Sequence, residues 1–205
     1  MKSEIQVVFI DGGMTFRDRK DYLDFLENRE ITVEDEETWN EGSYLEDSLE
    51  TEVVKVEMPC RDNARYDEWE ITFEKYIPLL SDQVILVGLS LGGTFLAKYL
   101  SENSFPKELV SAYLIGTPYD DDLIGEELAG GFNVDPDLSG LEQNCGNLTL
   151  MFSEDDDVVP VRHADKYRQK LSDAEIITYE SKEGHFQVAK FPELVEKIYK
   201  EVEKQ

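Results

Sequence analysis

Histidine, cysteine and positive charge are all scarce in this chain. Two His, two Cys and 20 Lys+Arg stand against 46 Asp+Glu in 205 residues. Cys60 and Cys145 lie far apart in no CxxC pattern, which excludes a disulfide scaffold and a cysteine zinc site, so no metal is expected. Free thiols fit a reducing compartment, and a cytoplasmic protein is expected. The formal charge of −26 would repel a polyanion at every approach, so nucleic acids and anionic membrane surfaces are excluded as partners. No run approaches the roughly 18 apolar residues of a membrane span. The apolar run at 5–10 is too short for a signal-peptide core and lacks a small-residue cleavage site, so it reads as a first strand.

What is present is material for a core. Hydrophobic residues make up 40% of the chain and aromatics 11%, enough apolar area to fold without metals or disulfides. Length suggests one domain over 1–205. Short apolar runs alternate with stretches of helical periodicity. The expected strands are 6–10, 53–57, 84–87, 109–115, 148–152 and 175–179, and the expected helices are 19–28, 66–77, 91–101, 161–171 and 192–204. Pro160 and Pro192 suit helix starts. The pattern predicts an α/β fold with a mostly parallel six-stranded sheet flanked by helices.

Two segments interrupt the rhythm. Residues 31–52 are densely acidic, with Trp39, Tyr44 and Leu45 among the acids, and are expected to form a surface excursion. Residues 117–144 carry Asp120-Asp121-Asp122, Gly130-Gly131 and Asp135-Pro136, with a short helix expected at 124–128. This second segment follows a central strand, near the sheet edge where open α/β sheets bind ligands. It is expected to act as a lid, with Leu123, Leu128 and Phe132 facing an acyl chain and Phe132 as the substrate-binding candidate.

Gly88-Leu89-Ser90-Leu91-Gly92 matches G-x-S-x-G between an expected strand and an expected helix, the setting of a nucleophile elbow. The turn forces the serine backbone into a strained conformation, and the glycines leave room for neighbouring backbone. The following helix points its N-terminal amides at the place where an oxyanion would form, with the Leu91 N–H as first donor. A serine hydroxyl needs a base, and the base needs an orienting carboxylate. His185, in a loop after the last strand, suits the base, whereas His163 falls in a helical first turn where a solvated or capping role is expected. The acid candidates are Asp155, Asp156 and Asp157, just after the fifth strand. The order Ser, Asp, His is that of α/β-hydrolases.

Gly88–Gly93, the Asp-Asp-x-Val-Val-Pro pattern ending at Pro160, and Gly184-His185-Phe186-Gln187 occur together. With these, the chain resembles small α/β-hydrolases of the retinoblastoma-binding-protein-nine and YdeN-like serine hydrolase family. The resemblance implies a compact α/β-hydrolase fold and selects Asp156 as the acid. It also implies that the loop Asp11-Gly12-Gly13-Met14-Thr15 supplies the second oxyanion amide, in the region of Gly13 and Met14. Many relatives carry His where this chain has Asp11, so the Asp11 carboxylate must turn away from a forming oxyanion. The implied activity is hydrolysis of a small carboxylic ester through an acyl-enzyme, on a small-molecule acyl substrate and without a cofactor. The alternative is a weak or inactive hydrolase-fold module that binds a protein partner, motivated by Asp11 and by relatives described through protein partners.

Overall fold

The computed structural model describes residues 5–31, 37–134 and 137–203. Its strands are β1 (Ile5–Ile10), β2 (Glu52–Lys55), β3 (Gln83–Leu89), β4 (Glu108–Ile115), β5 (Asn147–Ser153) and β6 (Glu175–Tyr179). They form one sheet in the order β2-β1-β3-β4-β5-β6. Every neighbouring pair is parallel, and β1 and β3 sit in register with Val7 opposite Ile85. All six residues of β1 are buried, as are all of β3 after Gln83. This is the pattern of strands covered on both faces, and it is why these runs show no polar alternation.

Side-chain alternation divides the core between the two faces. Val8, Ile10 and Leu86 join Trp69, Phe73 and Phe95 on one face. Val7, Phe9, Ile85 and Val87 join Trp39, Phe186 and Phe191 on the other. The first face is covered by α3 (Tyr66–Tyr76) and α4 (Leu91–Glu102), and α7 (Pro192–Glu203) brings Leu194 and Ile198 to the second. Helix α1 (Arg19–Asn28) lies outside the core with no fully buried residue, its first turn capped by the Asp18 carboxylate accepting from the Lys20 and Asp21 amides. Among the described residues no helix is long and apolar enough to cross a membrane.

Three expectations need correction. The acidic segment is more than a surface excursion: it contains α2 (Tyr44–Ser48) and buries Trp39, Leu45 and Leu49 in the second core cluster. One indole in a core removes enough apolar surface from water to tether a chain whose acids remain outside. Residues 32–36 of that segment lie outside the described residues. No helix forms at 124–128, where Gly125 adopts φ +73° and Glu127 instead pairs in an antiparallel bridge with Thr15. Short helices not foreseen from periodicity form at α5 (Ser139–Asn144) and α2, while α6 (Arg162–Arg168) is shorter than expected. Asp135, Pro136 and Lys204 lie outside the described residues.

Candidate active site

Ser90 stands between the end of β3 and the start of α4 with φ 52° and ψ −119°. An L-residue there is strained by roughly 1–3 kcal/mol and persists only where its surroundings enforce it. Here the Ser90 N–H donates to the Ile115 carbonyl at 2.8 Å, tying the elbow to β4. The flanking glycines permit the turn. A Cβ on Gly88 would lie 2.7 Å from the Gly92 carbonyl oxygen and the Gly93 nitrogen. A Cβ on Gly92 would lie 2.7 Å from the Asp11 carbonyl oxygen and closer still to that of Ile10. Side chains there would push α4 away from both β1 and β3.

The turn after β5 presents Asp156, and the loop after β6 presents His185. Nδ1 of His185 lies 2.8 Å from Oδ2 and 3.0 Å from Oδ1 of Asp156. Asp156 Oδ1 also accepts the backbone N–H groups of Val158 at 2.9 Å and Val159 at 2.7 Å, so the buried carboxylate has a fixed orientation. Paired this way the ring carries its proton on Nδ1. Its Nε2 is buried with no hydrogen-bond partner among the described residues. His185 and Ser90 line one cavity of about 360 Å³.

The neighbouring aspartates do different work. Asp155 accepts from the Ser153 and Ser181 hydroxyls, at 2.5 Å each, and from the Lys182 and Gly184 amides at 3.0 and 3.2 Å. The serine hydroxyls first, and then the amides, hold its carboxyl well below the usual carboxylate range. Asp157 packs beside Gly184, where a Cβ would come within 3.0 Å of its Oδ1.

On the oxyanion side, Gly13 and Leu91 line a small hollow with Ser90, and neither backbone N–H has a partner among the described residues. Met14 corrects the sequence expectation. Its N–H donates to the Arg61 carbonyl at 2.7 Å, so that amide is already committed. Asp11 lines the same cavity as Ser90, but its carboxylate is held by other partners. Its Oδ1 accepts from the Gly12 amide at 2.8 Å and from Asn40 Nδ2 at 3.1 Å, while its Oδ2 takes a 2.5 Å ion pair from Arg61. Arg61 Nε also donates to the Gly12 carbonyl at 2.9 Å. Sequence reasoning missed Arg61 and Asn40. They stand 50 and 29 positions from Asp11, and no local pattern marks either.

His163 is neither solvated nor a cap. It is fully buried, Nδ1 accepts the Tyr119 N–H at 3.0 Å, and Nε2 donates to the Asp122 carbonyl at 2.9 Å. Burial lowers its pKa. Asp120 and Asp122 approach the ring closely enough to suggest a metal site. Both ring nitrogens are spent on backbone, however, and the carboxylates face Lys166 and Arg162, so the donor set does not fit a cation.

Phe132 also departs from expectation. It lies fully buried and edge-on to Trp69 and Tyr66, with centroids 5.2 and 5.8 Å apart, and lines neither cavity that contains Ser90. Leu123, Leu128 and Glu126 of the same segment do line the hollow beside Ser90. Burial raises the Glu126 pKa, with Asp156 and Asp157 adding to the effect and His185 opposing it.

Comparison with known proteins bears on the family and the fold. A family model described as Serine hydrolase matches residues 33–203. No curated protein sequence matches the chain. Among solved structures, the ydeN gene product of B. subtilis superposes with a TM-score of 0.70 at 16% identity, over 97% of this chain and 98% of the other. A structure of the metagenome-derived lipolytic enzymes LipS and LipT gives 0.65 at 13% identity, over 100% and 96%. A putative YdeN-like hydrolase from Pectobacterium atrosepticum gives 0.60 at 13%, over 98% and 91%. At these identities the structural likenesses speak for the fold, which is that of the α/β-hydrolases. The match over residues 33–203 speaks for descent: the chain belongs to the serine hydrolase family.

Proposed function

We propose that the protein is a cytoplasmic, single-domain enzyme that hydrolyses a small carboxylic ester through an acyl-enzyme. Ser90 is the nucleophile, His185 the base and then the acid, and Asp156 the carboxylate that orients the ring. The observation that carries this reading is the ring of His185: Nδ1 is bound to a buried carboxylate, and Nε2 is unpartnered in the cavity shared with Ser90. Ser90 Oγ adds to the ester carbonyl carbon as its proton passes to His185 Nε2. The resulting oxyanion is met by the Leu91 and Gly13 amides. Collapse of the tetrahedral intermediate expels the alcohol, which takes the proton back from Nε2. Water then repeats the sequence on the acyl-enzyme and releases the acid.

The cavity favours a short acyl group. Past Met14 and Glu126 it adjoins a hollow of about 290 Å³ lined by Phe16, Phe25 and Gly125. That is at the small end of ligand pockets. Asp21, Asp24 and Glu127 also line it, which disfavours an anionic acyl chain. The electrostatic objection that favoured a binding module loses its force, because Arg61 and Asn40 hold the Asp11 carboxylate.

A fluorophosphonate probe together with a p-nitrophenyl ester series from acetate to octanoate tests the reading. Ser90 should be labelled, short esters should be turned over fastest, and Ser90→Ala and His185→Ala should each lower kcat at least a thousandfold. Combining the two substitutions should add little, since residues acting as one unit are strongly non-additive. Folded protein that resists the probe, or full turnover by Ser90→Ala, sinks the proposal.

A further inference from the structure

The loop that carries His185 is an unusual piece of backbone. Glu183, Gly184 and Phe186 all adopt positive φ, at 56°, 77° and 55°. The Phe186 N–H closes back on the Gly184 carbonyl at 2.9 Å, so His185 sits at the centre of a three-residue turn. Two of these three residues are not glycine, and Phe186 is large and fully buried, so the chain does not hold this shape by local preference. Something outside the loop must impose it.

Two groups are placed to do so, one at each end. Ahead of His185, the Asp155 carboxylate binds the Ser181 hydroxyl and the Lys182 and Gly184 amides, while Ser153 holds it from β5. Behind His185, Trp39 from the acidic segment donates twice: its indole Nε1–H to the Phe186 carbonyl at 3.0 Å and its backbone N–H to the Val188 carbonyl at 3.0 Å. The indole is itself wedged edge-on between Phe9 of β1 and Phe191, with centroids 5.6 and 5.5 Å away. A hydrogen bond made by a fully buried donor to a strained carbonyl leaves both partners little freedom.

We propose that Trp39 and Asp155 are positioning residues for His185, gripping its turn from both ends so that the imidazole meets Asp156 and Ser90 in one fixed pose. The positioning stands on the geometry of the turn. Its consequence for turnover rests on the acyl-transfer reading above. Trp39→Phe keeps an aromatic ring between Phe9 and Phe191 and the backbone bond to Val188, deletes the donor to Phe186 and takes away part of the indole's volume, whose cost the melting temperature reads separately. Asp155→Asn keeps the shape and replaces one acceptor oxygen by an N–H donor that the loop amides cannot pair with.

Two readouts test this on the full chain. In proton NMR the low-field signal of a carboxylate-bound Nδ1 proton can belong only to His185, because Nδ1 of His163, the other histidine, is an acceptor. That signal should broaden or vanish in both variants while melting temperatures show the proteins folded. With a short ester, kcat should fall about tenfold for Trp39→Phe and more for Asp155→Asn, with KM within about twofold of the parent. Variants that lose thermal stability but keep the Nδ1 signal and the parental kcat would make both residues packing elements and overturn the proposal. A parent inert towards esters whose Nδ1 signal still depends on Trp39 and Asp155 would sink the acyl-transfer reading and leave the positioning role standing.

Discussion

Residues 37–51 and 117–134 are made of similar material, acids punctuated by a few large apolar side chains, yet they serve the molecule in different ways. The first sends Trp39 through the core to the back of the His185 turn and Asn40 to the Asp11 carboxylate. It holds the His185 turn through hydrogen bonds, and its Thr38, Asn40 and Glu41 line the cavity that contains Ser90. The second is bolted down on α6 by His163, Arg162 and Lys166 and anchored by Phe132 among the α3 aromatics, and it offers Leu123, Glu126 and Leu128 as walls beside Ser90. Charge density does not tell such segments apart. What matters is where the rare aromatic or imidazole lands.

The contrast predicts that damage to the second segment is felt in stability and damage to the first in rate. The largest effect belongs to Phe132→Ala. Emptying a buried aromatic site should cost about 3–5 kcal/mol, while preference among acyl lengths stays unchanged. Calorimetry alongside the ester series decides it, and a shift in acyl preference with stability preserved would return Phe132 to the substrate.

His163→Gln comes next. It breaks bonds to Tyr119 and Asp122 in a fully buried place, which should cost about 2–3 kcal/mol and change kcat little. The same ring gives a dependence on pH. Its folded pKa is depressed below the ordinary 6.5 by burial, so in that window the unfolded chain binds the extra proton and the native ring does not. Stability is therefore full above about pH 6.5 and falls as pH drops from there towards the folded pKa. Melting temperatures of parent and His163→Gln should converge in that window. A constant gap between them down to pH 5 would show that the ring does not contribute this term.

Smaller effects lie around Ser90. Arg61→Ala frees the Asp11 carboxylate beside the oxyanion loop and should lower kcat roughly three- to tenfold, by 0.6–1.4 kcal/mol of barrier, with little change in melting temperature. An unchanged kcat would mean that Asn40 and the Gly12 amide hold Asp11 unaided. Phe25→Trp, which narrows the hollow next to Met14, should leave acetate turnover alone and reduce octanoate turnover a few-fold. Equal loss for every chain length would place the acyl group elsewhere.

Much of the fold was legible because its signals are local. Strands buried on both faces announce themselves as short apolar runs, and each of the six lies within two residues of its expected limits. The strand-to-helix elbow at Ser90 needs glycines at fixed spacing and shows them. The pairing of Asp156 with His185 was legible only through family resemblance, since three adjacent aspartates look alike until the turn after β5 aims one of them inward. The helix expected at 124–128 failed because Gly125 and the bridge between Thr15 and Glu127 outweigh a weak local preference.

The sequence by itself therefore determined the parallel sheet, the elbow with its serine, and the excess of 46 acidic over 20 basic residues. Tertiary structure alone decided which ring nitrogens are spent, which backbone amides stay unpartnered beside Ser90, and what holds a strained turn in place. The reason is distance along the chain: Trp39 meets Phe186 across 147 positions, Asp155 meets Gly184 across 29, and Arg61 meets Asp11 across 50. Hydrogen bonds of that span leave no period or spacing in a sequence. They exist only once the packed strands and helices have brought their ends together.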